Sequence, residues 1–150
     1  MPVITVADVL RTVEDFESRL VDYYAEISAH TKSEGVHLLA DYMGRHRRRL
    51  TEALSRVPEG KRARISACHI RYQPDKPSCS RLESRRLMPD APASEVLDLA
   101  VEVDECLIGL YKQVLRLELD PEVRELFESL LHCEEWDEVE LKKIKAMDYF

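Results

Sequence analysis

Residues 5–30, TVADVLRTVEDFESRLVDYYAEISAH, repeat apolar side chains at three- and four-residue steps: Val6, Val9, Leu10, Val13, Leu20, Tyr24 and Ile27 fall on one face. That is the period of an amphipathic α-helix. Thr5, followed three residues later by Asp8, supplies a capping-box start. The next stretch, residues 31–57, TKSEGVHLLADYMGRHRRRLTEALSRV, repeats the device with Thr31 and Glu34. Val36, Leu39, Ala40, Met43, His46, Leu50 and Leu54 then trace a second stripe, which Pro58 stops. The spacing predicts helices over about 5–30 and 32–57, folded back on each other as a tight antiparallel hairpin.

The same pattern returns near the C-terminus. Leu97, Ala100, Val101, Leu107, Ile108, Tyr111 and Leu115 share a face in a helix predicted over about 94–119. Asp120-Pro121-Glu122 is a strong helix start, combining an N-cap side chain, a preset φ and an acid facing the helix dipole. The fourth helix, about 121–147, uses Leu126, Leu130, Leu141 and Ile144. Between the hairpins, residues 58–93 are rich in Pro, Arg and Ser, with a short strand suggested within Arg64–Tyr72. Two helix hairpins joined by one long crossover describe an all-α, four-helix bundle in a single domain, residues 1–150.

Composition agrees with this reading. The chain has 150 residues, of which 45% are apolar and 34% charged, with only 4 Gly and 7 Pro, which suits long amphipathic helices and excludes collagen-like or low-complexity chains. No apolar run approaches the twenty or so residues that cross a bilayer, and the N-terminus lacks a basic leader, so a cytoplasmic protein without membrane contact is expected. Four cysteines, Cys68, Cys79, Cys106 and Cys133, form no Cys-x-x-Cys pair and are expected to be reduced thiols. A zinc or redox role for these cysteines, or for the nearby His30, His69 and His132, is the weaker reading, because single cysteines on separate helices are mostly apolar filler. Net charge runs −5 over residues 1–44, +9 over 45–86 and −11 beyond. The acidic flanks repel phosphate, so the basic middle is expected to lie against acidic helices of its own chain or of a twin subunit. A homodimer is expected and a nucleic-acid partner is not.

Most charged residues fall on faces that the helical period assigns to water. Glu17, His46, Asp104, Glu134 and Asp137 do not; they interrupt the apolar stripes, at least one on each helix. Each lies about 14–17 residues from its hairpin turn, roughly 21–26 Å at ~1.5 Å per residue, so all five sit at mid-height where facing side chains meet. Buried carboxylates are costly alone, so a cluster of them calls for protons, a cation or mutual hydrogen bonds. Glu135 and Glu138 offer the same spacing as Glu134 and Asp137, about 100° further round the helix.

At these residues the chain resembles the ferritin-like superfamily, in its rubrerythrin-like branch. In that family each hairpin offers a Glu, a Tyr seven residues later, and Glu-x-x-His on the following helix. Glu17 with Tyr24 matches the first element, and Asp104 with Tyr111 repeats the spacing. Met43-Gly44-Arg45-His46 and Glu134-Glu135-Trp136-Asp137 stand at the two Glu-x-x-His positions. The resemblance covers residues 5–57 and 94–147, without the rubredoxin module of true rubrerythrins. It implies a ferritin-like bundle with iron or manganese held by Glu17, His46, Asp104, Glu134 and Asp137. Tyr24 and Tyr111 would stand behind these ligands, and Met43 occupies a position that normally bridges two metals. Ferrous oxidation or peroxide reduction is the implied activity. The alternative is a catalytically inactive bundle, with a proton-sharing polar core, that serves as a structural or partner-binding module. In that case Met43 is core filler, His46 is satisfied by Glu17 or Asp104, and the two tyrosines are packing residues.

Overall fold

A reciprocal pair of hydrogen bonds opens the first helix: Asp8 N–H donates to Thr5 Oγ1 at 3.3 Å and Thr5 N–H donates to Asp8 Oδ2 at 2.9 Å. Helix α1 (Val6–His30) follows without interruption. The structure, a computed structural model, describes residues 4–47, 49–71 and 91–147, with no side-chain description for Arg49 and Leu50. The remainder of the expected crossover, residues 72–90, and Cys79 within it lie outside the described residues.

Thr31, Lys32 and Ser33 make the turn. Thr31 N–H closes α1 on Ile27 O at 3.0 Å, and Ser33 Oγ accepts from Val36 N–H at 3.3 Å as the N-cap of α2 (Glu34–His46). Ser33 thus takes the capping place expected of Thr31, whose hydroxyl instead accepts from Ser33 N–H at 3.2 Å. The His37 ring, at 2.8 Å from both the hydroxyl and the carbonyl of Ser28, pins the two helices across this turn.

The helix expected over 32–57 is two helices. At Arg47 the backbone leaves helical geometry, with ψ at −5°, although its N–H still reaches Met43 O at 3.1 Å, and α3 (Arg49–Ser55) begins beyond it. Apolar periodicity reports which residues face inward but not whether backbone bonding is continuous, so the break left no mark on the stripe. The expected connection also holds more structure than its composition suggested. A short helix, α4 (Glu59–Ala67), buries Ile65 and leans on α1. A two-residue strand, β2 (His69–Ile70), then pairs antiparallel with β1 (Ile4–Thr5). Val6 N–H adds a bond to Cys68 O at 2.9 Å, which clasps the connection to the start of α1.

Helix α5 (Ala93–Leu115) ends four residues short of its expected end, and α6 (Pro121–Met147) begins at the proline predicted to start it. The guanidinium of Arg124 donates to Leu115 O at 3.1 Å and Leu117 O at 3.0 Å, taking up carbonyls that the end of α5 leaves open. Helix α1 packs along α2 and α5 along α6, while α2 against α5 joins the pairs. One continuous apolar cluster runs between them, including Phe16, Leu20, Leu39, Met43, Val103, Leu107, Phe127 and Leu130. The described part of the chain is predominantly helical, and no helix in it is long and apolar enough to cross a membrane.

Candidate functional site

Among the described residues, five charged side chains interrupt this apolar cluster, and four of them are the acids singled out from their positions in the stripes. Glu17 from α1, Asp104 from α5, and Glu134 and Asp137 from α6 are all buried, between 1% and 6% exposed. The fifth is Arg47, 1% exposed and among the largest fully buried side chains of the described residues. Its Nη2 donates to Asp104 Oδ1 at 3.0 Å and Glu134 Oε2 at 2.9 Å and lies 3.5 Å from Asp137 Oδ2. Its Nη1 donates to Glu134 Oε1 at 3.3 Å and lies 3.9 Å from Glu17 Oε1. Glu134 therefore receives both arms of the fork, the geometry that makes arginine the strongest side-chain partner for a carboxylate.

Four carboxyl groups around one guanidinium leave an excess of acid, and part of it is held as a proton. Burial pushes Asp104 up to about 10; Arg47 works against this, and a hydrogen bond with Asp137 and the charges of Glu134 and Asp137 reinforce it. A bond between two carboxyl groups requires a proton on one of them, and Asp104 is the group that keeps it. Burial alone would weaken the charge of Arg47, but Glu134 and Asp104 outweigh it and hold its pKa well above the ordinary arginine value. Tyr111, 1% exposed, has its phenol pushed well up by burial and by Glu134 and Glu17, so it remains a neutral hydroxyl. Tyr24, fully buried on α1, belongs to the same core.

His46 is not among the convergent groups. It is half-buried on the flank of α2, its ring 4.1 Å from that of Tyr42, which is itself 39% exposed. Among the described residues, the ligand-type atoms that approach within 4.8 Å of one another are those of Asp104, Glu134 and Asp137, without Glu17. Met43 lies 2% exposed in the apolar cluster. Glu135 is exposed, and Glu138 turns outward to bond Lys142 at 2.6 Å, so it is the Glu134 and Asp137 face of α6 that turns inward. Of the cysteines, Cys133 is exposed and Cys106 half-buried. The Cys68 thiol donates to Asp120 Oδ2 at 3.1 Å, and burial raises its pKa.

Sequence reasoning missed Arg47, although a signal was present. Counted from Met43 at 100° per residue, position 47 falls about 40° to one side and position 46 about 60° to the other. Val36 and Ala40 lie on the side of position 47 and Leu39 on the side of position 46, so the buried stripe centres only slightly toward position 47. The charge pattern sets the basic stretch that contains Arg47 against acidic helices but gives no reason to bury this one guanidinium, whose four acidic partners come from three other helices.

The chain matches no protein-family model, no curated protein and no solved structure. The site itself is what carries a functional reading.

Proposed function

We propose that this chain is a ferritin-like four-helix bundle whose inter-helix carboxylate site holds an arginine where relatives would hold metal, and that it acts as a structural or partner-binding module without redox chemistry. The observation behind this reading is Arg47, bonded to Asp104 and Glu134 at 3.0 and 2.9 Å inside the acid cluster. A metal ion bound by the same oxygens would lie within a few ångströms of the guanidinium. Like unit charges 4 Å apart repel by about 4 kcal/mol at an effective dielectric constant near 20, and a divalent ion repels more. The donor set is also short of what iron or manganese takes in the family: His46 lies apart from it, and Met43 offers a thioether. The residues present therefore do not fit a di-metal centre while Arg47 is in place. Convergence of three carboxylates within 4.8 Å favours a second reading, a single ion that expels Arg47.

Metal analysis separates the readings. Protein made in iron- and manganese-supplemented medium, purified without chelator, is expected to carry well under one ion per chain and to leave ferrous iron and peroxide unchanged. One ion held firmly through gel filtration would favour the second reading, and two irons with an oxo-bridge absorption band would sink the proposal.

A binding surface is available on α6. Cys133, Trp136, Val139 and Met147 are exposed, Trp136 by 62%, on a face turned roughly 130° from the buried stripe of that helix. Apolar exposure of this kind on one helix face marks an association surface, and the homodimer expected from the sequence has this one to use. Sedimentation velocity is expected to give a dimer for the wild type and a monomer for Trp136→Glu. A wild type that stays monomeric at high micromolar concentration removes the homodimer from the reading.

A further inference from the structure

The acid cluster is shaped around a flat cation. Nη2 of Arg47 has three carboxylates within 3.5 Å, while Nη1 has Glu134 at 3.3 Å and Glu17 at 3.9 Å, so both terminal nitrogens of one guanidinium face oxygens drawn from α1, α5 and α6. All four acids are at least nine-tenths buried, and Oδ2 of Asp104 accepts no hydrogen bond from a described donor. Such a group stays costly unless a cation or a proton reaches it, and here the proton shared with Asp137 and the cation of Arg47 at Oδ1 meet that need together. The acids belong to the walls of the bundle, whereas the cation arrives on the residue that caps the end of α2, where the helix breaks. Walls and occupant are thus supplied by separate elements.

We propose that the carboxylates of Glu17, Asp104, Glu134 and Asp137 form a receptor for a guanidinium-type cation that the chain fills with its own Arg47, and that the receptor takes up free guanidinium once that side chain is removed. This rests on the bundle being metal-free in the wild type but tests a different property, the shape and charge preference of the cage. Replacing Arg47 by a short side chain leaves the walls in place and a space the size of the missing head group. A planar cation with paired N–H donors can address two carboxylates at once, which a spherical ion cannot do in the same directions.

The test uses full-length Arg47→Ala, with the wild type and the double variant Arg47→Ala/Glu134→Gln as references. Thermal melts are run in low-millimolar guanidinium chloride, in sodium chloride of equal strength and in manganese chloride. Guanidinium is expected to raise the Tm of Arg47→Ala by about 5 °C over sodium chloride, as mass action predicts for a ligand bound only by the folded state. It should leave the wild type unmoved and act at least about tenfold more weakly on the double variant, which lacks the carboxylate that takes both arms of the fork. Should Arg47→Ala be unfolded in sodium chloride, the same addition is expected to restore its helical circular dichroism. Equal responses of all three proteins to guanidinium and sodium ions would overturn the receptor. Stabilisation by manganese but not by guanidinium would overturn its preference for a planar cation. Firmly bound iron in the wild type would instead overturn the metal-free reading and leave these comparisons to be judged on their own.

Discussion

Arg47→Met is expected to be among the most damaging single substitutions in this protein, costing about 3–5 kcal/mol, the range found when one partner of a buried ion pair is removed and the other charge is left behind. The loss does not come from packing, since methionine fills much of the same space and is at home beside Met43. It comes from Glu134 and Asp137, within 3.5 Å of the guanidinium, and Glu17 at 3.9 Å, which would keep their burial and lose their cation. Neutralising the acids in the same background separates the two causes. Arg47→Met/Glu134→Gln/Asp137→Asn is expected to recover much of the lost stability, because Asp104 already holds a proton and Glu17, 3.9 Å from Nη1 in the wild type, is then the one acid of the four left without its cation. Urea unfolding of the three proteins at one pH checks this. If the triple variant is no more stable than Arg47→Met, the arginine acts through packing and the electrostatic account of the site is wrong.

The second large effect is on pH dependence, and its sign follows from the proton on Asp104. The folded-state pKa of about 10 stands far above the ordinary carboxylate value of 3.8. The folded chain therefore binds a proton that the unfolded chain has released at neutral pH. Stability from this group is complete below the unfolded value and declines as pH rises toward the folded one. One proton of difference corresponds to about 1.4 kcal/mol per pH unit, so between pH 5.5 and 7.5 the wild type is expected to lose about 2–3 kcal/mol from this source. Asp104→Asn keeps the size and the hydrogen-bond donor of the protonated acid and does not titrate. The variant should be the more stable protein at pH 7.5, with the gap closing toward pH 5.5. Denaturant melts at the two values decide it: parallel losses in both proteins would mean that Asp104 carries no proton in the fold.

Much of the architecture was legible in the chain because helices announce themselves locally. The capping box at Thr5 and Asp8 and the proline opening α6 each depend on a few neighbouring residues, and the structure uses both, whereas the cap expected at Thr31 falls to Ser33. The same holds for the inward direction of Glu17, Asp104, Glu134 and Asp137, since a 3.6-residue period fixes which side chains share a face. Less was readable where the outcome depends on a single turn. The break after His46 and the helix Glu59–Ala67 interrupt segments whose composition suits either a continuous helix or a loop.

The sequence by itself determined that acids from several helices would interrupt the apolar stripes at one height of a helical core, leaving Glu134 with Asp137 or Glu135 with Glu138 as the inward face of the last helix. Which cation would meet them was a tertiary matter. His46 and Arg47 are adjacent and lie on either side of the α2 stripe, and local propensity does not separate them. The choice turns on summed charge: a guanidinium alone is far better solvated by water, and only carboxylates brought together from α1, α5 and α6 make its burial favourable. That sum exists in no segment of the chain until the helices have packed.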